Sequence, residues 1–101
     1  MEAPLKNQWI EALRSRKYKQ GTGLLWNSSR DRYCCLGVLA REMDCLDEHG
    51  WIKETAHYAT LPTSFLEDVK LPGSVERVLM DMNDADKKTF LEIADWIEQN
   101  L

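Results

Sequence analysis

Residues 33–43 read Tyr-Cys-Cys-Leu-Gly-Val-Leu-Ala-Arg-Glu-Met and include the longest stretch of the chain without a polar side chain, Cys34–Ala40. The apolar positions continue at spacings of three and four residues, at Cys35, Leu39, Met43 and Leu46. This spacing predicts a central helix that is buried on most sides. We expect the helix to end near Gly50, because glycine often follows the last helical turn.

Two features of this stretch bear on its conformation. Gly37 has no Cβ, so we expect another backbone segment to approach it closely. A short buried strand over Tyr33–Leu39 is the alternative to a helix, since periodicity does not separate the two in so short an apolar run. Both interpretations bury these residues.

Composition and length predict one globular domain covering residues 1–101, with 44% hydrophobic and 30% charged residues. No apolar segment approaches the ~20 residues of a membrane span, and the first residues lack the charged-then-apolar order of a signal peptide. The three cysteines are an odd number and two are adjacent, which disfavours a disulfide scaffold. We therefore expect a cytoplasmic protein with reduced thiols.

The N-terminal half predicts a helix followed by a hairpin. Apolar residues lie on one stripe from Pro4 to Ser15, where the proline suits a first helical turn. Leu24–Trp26 and Arg32-Tyr33 flank the turn-rich segment Asn27–Asp31, as in a β-hairpin. Two further short strands, at 51–52 and 57–61, are expected to extend its sheet.

The C-terminal half predicts helices. Thr63 or Ser64 is expected to cap a short helix, and Ser74 a longer one that ends at 83–86 and buries Val75, Val78, Leu79 and Met82. Thr89 and Glu92 form a capping box ahead of a last helix. The predicted fold class is α+β, a mostly helical single domain with a small antiparallel sheet.

Five motifs follow one another along most of the chain: Trp-Ile-Glu-Ala-Leu-Arg-Ser (9–15), Tyr-x-Gln-Gly-x-Gly (18–23), Tyr-Cys-Cys-Leu-Gly-Val-Leu (33–39), Met-Asn-Asp (82–84) and Phe-x-Glu-Ile-Ala-Asp-x-Ile-Glu (90–98). In this order they resemble a family of small uncharacterised phage and prophage proteins. The resemblance implies glycine where this chain has Arg16 and Asp86, and it implies no catalytic or binding residues. It also implies an accessory role in the host cytoplasm, such as countering a defence system.

Charge is distributed unevenly along the chain. Residues 1–33 carry seven basic and three acidic residues, a net charge of +4, whereas residues 34–101 carry −8. Aromatic faces stack on bases, basic side chains hold phosphates, and Gly21 and Gly23 let backbone N–H groups approach an anion. The candidate ligand-binding residues are Arg14, Arg16, Lys17, Tyr18, Lys19, Gln20, Trp26, Arg30 and Arg32.

This pattern favours a non-enzymatic protein that acts by occupancy, without a cofactor. The expected partner is a nucleotide-derived small molecule with a phosphate, or a component of a host defence. The competing interpretation places Trp9, Trp26 and Tyr33 in the core and leaves the cations as an ordinary solvated face.

Two other functions stay open. A protein–protein inhibitor would use an acidic C-terminal face with Asp81, Asp84, Asp86, Asp95 and Glu98. A small enzyme would use Cys34 or Cys35 as nucleophile, assisted by His49 or His57.

Metal sites are not favoured by the spacing of the possible ligands. Adjacent cysteines do not readily share one zinc ion, and no Cys-x-x-Cys pair occurs. A calcium-loop frame starting at Asp81 has Ala85 at its fifth position and Asp86 where glycine is required. We therefore predict no metal.

Overall fold

Five helices and one two-stranded antiparallel sheet make up the protein, and the computed structural model describes residues 1–101. In chain order the elements are α1 (Ala3–Arg14), β1 (Trp26–Asn27), β2 (Arg32–Tyr33), α2 (Cys35–Glu42), α3 (Thr63–Val69), α4 (Gly73–Asp84) and α5 (Phe90–Asn100). The predicted α+β class is confirmed. None of the helices combines the length and the apolar character needed to cross a lipid bilayer.

Helix α2 is the centre of the core, as its apolar run predicted. Every residue from Cys35 to Ala40 is buried. The strand alternative is wrong beyond Tyr33, because the helix begins at Cys35. The Sγ atom of Cys34 accepts a hydrogen bond from the backbone N–H of Gly37 at 3.4 Å, so a thiol caps the first turn.

The expected end of α2 at Gly50 is wrong, since the helix ends at Glu42. Asp44 adopts a left-handed φ of 56°, which turns the chain away from the helix axis. Gly50, with a φ of 88°, instead closes a tight turn next to an isolated antiparallel bridge between Leu46 and Ile52. A glycine can follow the last turn of a helix or close a tight turn between extended segments. The spacing of apolar residues did not distinguish the two, so it did not predict the earlier end of α2.

The hairpin has the predicted position but stays two-stranded. Trp26 pairs with Tyr33 and Asn27 with Arg32. The expected extra strands at 51–52 and 57–61 are wrong, because the only regular pairing there is the bridge at Ile52. The N–H of Leu25 donates to the carbonyl of Tyr58 at 2.9 Å, so this segment covers the hairpin as a loop.

Helix α1 packs against both α5 and α2. Helix α1 buries Trp9, Ile10, Ala12 and Leu13, and the Trp9 indole donates to the carbonyl of Cys35 at 2.9 Å. The capping box of Thr89 and Glu92 is confirmed at the start of α5. That helix buries Phe90, Ile93, Ala94 and Ile97, as predicted.

Helices α3 and α4 are present, but their predicted caps are wrong. Each starts after a proline with extended backbone, Pro62 or Pro72, and neither helix has a side-chain cap. The predicted cap residues therefore lie inside the first turn. On α4, Leu79 is buried as expected, whereas Val78 is exposed.

The predicted close approach of another backbone segment to Gly37 is confirmed, and that segment contains Leu25. A Cβ added there would lie 1.7 Å from the carbonyl oxygen of Leu25. Substitution Gly37→Ala is therefore expected to lower the free energy of unfolding by about 3 kcal/mol, because backbone on both sides must move. Gly73→Ala, with nothing within 4 Å of the added atom, is the matched control and should change it by less than about 1 kcal/mol.

Urea denaturation of the two variants measures both values. Equal stability of Gly37→Ala and the wild type would show that the contact between α2 and the segment before β1 is not a packing constraint.

Candidate functional site

Asn83, near the end of α4, is the only polar or charged residue that is buried, with 1% of its surface exposed. Its Oδ1 accepts hydrogen bonds from Gln20 Nε2 at 3.0 Å and from the N–H of Cys35 at 3.2 Å. Its Nδ2 donates to the carbonyl of Gly21 and to the carboxylate of Asp84, both at 2.8 Å. All four hydrogen-bonding positions of the amide are thus used.

Both the nitrogen and the oxygen of the Gln20 side-chain amide form hydrogen bonds in the same region. Besides the bond to Asn83, Nε2 donates to the carbonyl of Lys88 at 2.7 Å. Its Oε1 accepts from the N–H of Phe90 at 3.1 Å. Gln20, which the sequence suggested as a hydrogen-bonding group for a ligand, therefore joins the segment before the hairpin to the turn between α4 and α5.

The segment Gly21–Gly23 is held on two sides. The N–H of Gly21 donates to the carbonyl of Tyr33 at 2.7 Å, and the N–H of Gly23 donates to Asp84 Oδ1 at 3.3 Å. Between them, the N–H of Thr22 has no acceptor within the protein. A positioned amide without an internal partner is available to an anion from outside.

A polar cleft of about 480 Å³ lies against this segment, and we call it the arginine cleft. Its lining residues are Gln20, Gly21, Thr22, Leu24, Asn27, Arg30 and Arg32. Arg30 and Arg32 are exposed, and neither forms an ion pair or a side-chain hydrogen bond within the protein. Gly21 packs under the second of them, since a Cβ at Gly21 would lie 2.6 Å from Arg32 Cβ.

A second cleft, of about 220 Å³, adjoins the same segment, and we call it the lysine cleft. It is lined by Gln20, Gly21, Thr22, Asn83, Lys87 and Lys88. Lys87 has no ion pair, and Lys88 Nζ lies 4.0 Å from a Glu92 carboxylate oxygen. The sequence analysis missed both lysines, because they directly follow the acidic segment 83–86 and lie far in sequence from the basic N-terminal region.

The other predicted cations do not join the arginine cleft. Arg14 pairs with Asp95 at 2.7 Å and with Glu98 at 3.3 Å, across the contact between α1 and α5. Arg16 lines a separate cleft, beside Tyr18 and Phe90 among others. Its φ of 63° lies in the region that favours glycine, the residue that the resemblance implies at this position.

Lys17 and Lys19 are exposed away from both clefts. The Nζ of Lys17 lies 5.3 Å from the centroid of the Tyr18 ring. The carbonyl of Lys19 accepts from the N–H of Tyr33 at 2.8 Å, so its backbone supports the hairpin. Of the six candidate cations, the structure brings only Arg30 and Arg32 together.

The candidate stacking rings are occupied by protein groups. Tyr18 is 9% exposed, its hydroxyl donates to Glu42, and its ring meets the Tyr33 ring edge-on at 4.9 Å. Burial and the bond to Glu42 raise the Tyr18 pKa above its ordinary value. Trp26 stacks on Tyr33 at 5.9 Å, and the Arg41 guanidinium lies 4.6 Å from its centroid. Neither Tyr18 nor Trp26 lines the arginine cleft.

The adjacent cysteines are core residues with raised pKa values. Burial raises the pKa of the Cys34 thiol to about 11, and it raises that of Cys35 as well. The Cys35 thiol donates to the carbonyl of Leu79 at 3.6 Å. A buried thiol with a raised pKa is a poor nucleophile, so this geometry does not support the cysteine-enzyme alternative. No three side chains of His, Cys, Asp and Glu lie together in a metal-binding group.

The acidic C-terminal face is partly neutralised within the protein. Asp95 and Glu98 pair with Arg14, and the Asp84 carboxylate accepts from Gly23 and Asn83. These contacts give three of the five proposed inhibitor carboxylates a structural role. The face therefore offers a partner less charge than its composition suggests.

An exposed aromatic pair, Trp51 and Tyr58, was not predicted. Their side chains are 40% and 49% exposed, and the ring centroids are 5.6 Å apart. They lie on the loop that covers the hairpin and line none of the clefts described above. The segment around them has no clear apolar periodicity, so no sequence pattern indicated that these two rings are exposed.

Substitution Asn83→Leu is expected to lower the free energy of unfolding by about 3 kcal/mol, because it leaves Gly21 O and the Cys35 N–H buried without partners. Asn7→Leu, at an exposed position of α1, is the control and should change it by less than about 0.5 kcal/mol. Urea denaturation followed by tryptophan fluorescence gives both values. A loss below 1 kcal/mol for Asn83→Leu would mean that the amide does not hold this region together.

Comparison with known families gives one match, to a domain of unknown function, DUF8296, over residues 1–78. The matched region contains the arginine cleft, whereas Asn83 and the two cleft lysines lie beyond it. Comparison with curated proteins and with solved structures yields no match. Since the family covers well over half of the chain, the protein belongs to the DUF8296 family.

Proposed function

We propose that the protein is a binding protein that holds a phosphate-bearing ligand in the arginine cleft. The observation that carries the proposal is the pair of exposed, unpaired guanidinium groups, Arg30 and Arg32, on a cleft that is also lined by Thr22, whose N–H has no acceptor within the protein. Three such donors match the oxygens of a phosphate, and guanidinium groups can bind two oxygens at once.

Hydrogen bonds within the protein hold the backbone of the arginine cleft in place without a bound anion. Arg32 and Asn27 form a hydrogen-bonded pair of strand residues, and the N–H of Arg30 donates to Asn27 Oδ1 at 3.3 Å. On the other side, Gly21 is held by Tyr33 and Asn83. A backbone that is already held in place loses little conformational entropy on binding, which favours affinity from a small contact area.

The phosphate is the part of the ligand that this cleft recognises best. Leu24 is its only apolar lining residue, and the rings of Tyr18 and Trp26 pack against other side chains of the protein. A base or another organic group attached to the phosphate would therefore extend toward solvent from the cleft. The proposal keeps the nucleotide-like ligand expected from the sequence, with the recognition assigned to its phosphate.

Binding without chemistry is the mode of action that fits these residues. The arginine cleft contains no thiol, carboxylate or imidazole among its lining side chains, so it offers no evident nucleophile or general base. In the phage accessory role that the sequence resemblance implies, such a protein would act by sequestering its ligand. That role is part of the proposal and rests on the resemblance alone.

Substitution of both Arg30 and Arg32 by Ala is expected to weaken binding of inorganic phosphate at least about tenfold, because two charge-assisted contacts are lost. The melting temperature should change by less than about 2 °C, since neither side chain has a partner within the protein. Calorimetric titration at low salt measures the affinity. Arg77→Ala, an exposed arginine on α4, is the control for the loss of positive charge.

Phosphate that does not bind the wild type, or that binds it and the double variant equally, would contradict the proposal. A parallel loss of binding and of thermal stability would mean that the arginines act through the fold.

A further inference from the structure

We infer that the ligand of the arginine cleft carries two linked phosphate groups, and that the second one is held in the lysine cleft by Lys87 and Lys88. This inference rests on the proposed function and deepens it. The two clefts share Gln20, Gly21 and Thr22, so they adjoin each other at one short backbone segment. A ligand with adjacent anionic groups can reach both at once.

The two clefts are joined by hydrogen bonds that fix their relative position. Gln20 Nε2 donates to the carbonyl of Lys88 at 2.7 Å and to Asn83 at 3.0 Å. The N–H of Lys88 donates to the carbonyl of Met82 at 2.8 Å, which anchors the turn after α4. The lysine backbone is thus attached directly to the segment that lines the arginine cleft.

The groups around the lysine cleft leave it positive. Lys87 has no ion pair, and Lys88 lies at the limit of one with Glu92. Asp84, the nearest carboxylate of the network, already accepts from Gly23 and from Asn83. Thr22 therefore lines two clefts that together hold four basic side chains, two with guanidinium and two with ammonium groups.

A small ligand fits this arrangement better than a long nucleic acid. The basic side chains proposed to bind the ligand line two small clefts of about 480 and 220 Å³. The protein as a whole has a net charge of −4, and residues 34–101 carry −8. A long polyanion leaving the clefts would meet this negative surface, whereas a diphosphate would not.

Calorimetric titration with inorganic pyrophosphate and with orthophosphate tests the inference. The wild type is expected to bind pyrophosphate at least about tenfold more tightly, because only pyrophosphate fills both clefts. Substitution of Lys87 and Lys88 by Ala should abolish most of that difference and leave orthophosphate affinity within about twofold. The Arg30/Arg32 double alanine variant should lose affinity for both anions, and Arg77→Ala should match the wild type.

Equal affinity of the wild type for the two anions, or full retention of pyrophosphate preference by the lysine variant, would overturn the two-phosphate inference while leaving the arginine cleft as a phosphate site. No binding of either anion would overturn the proposed function itself. Tighter binding of a single-stranded oligonucleotide than of a nucleoside diphosphate would overturn the assignment to a small ligand.

Discussion

The four hydrogen bonds of the buried Asn83 amide are the constraint on which the rest of the structure depends. They join the first residue of α2, the segment before the hairpin and the end of α4, three parts of the chain that are far apart in sequence. A buried amide is stabilising only when all of its donors and acceptors are paired, so these parts must keep one relative arrangement. The two clefts that share Gly21 and Thr22 follow from that arrangement.

The network also explains why cations from two ends of the chain come together. Arg30 and Arg32 are placed by the hairpin, whereas Lys87 and Lys88 are placed by the turn after α4. Gln20 connects the hairpin to that turn. Its backbone forms a bridge with Tyr33, and its side-chain amide bonds to the Lys88 carbonyl and to the N–H of Phe90. Of these four cations only Lys88 has a carboxylate within 4.0 Å, that of Glu92, and a bound anion would relieve the repulsion between the like charges.

Much of the fold was predictable because its signals are local. The apolar stripe of α1, the buried run of α2 and the capping box of α5 each lie within a few residues. The end of α2 was not predictable, since a left-handed Asp44 terminates it where the apolar spacing continues. The predicted caps at Thr63 and Ser74 were also wrong, because the proline before each of these regions occupies the N-cap position.

The site was predictable only in part, because its contacts are not local. Charge composition found Arg30 and Arg32 but also selected Arg14, whose partners Asp95 and Glu98 lie more than eighty residues away. A similar distance in sequence concealed Lys87 and Lys88, whose backbone is joined to the candidate site by the hydrogen bond from Gln20 to the Lys88 carbonyl, sixty-eight residues apart. Sequence patterns show which side chains are basic, and only the tertiary contacts show which of them are free.

The most direct test of this account is a titration of the isotope-labelled protein with inorganic phosphate, followed by nuclear magnetic resonance. The account predicts that the backbone amide of Thr22 and the side-chain Nε groups of Arg30 and Arg32 show the largest changes, with Arg14 Nε unchanged in its ion pairs. Largest changes at the exposed Trp51 indole, or no change at Thr22, would contradict it.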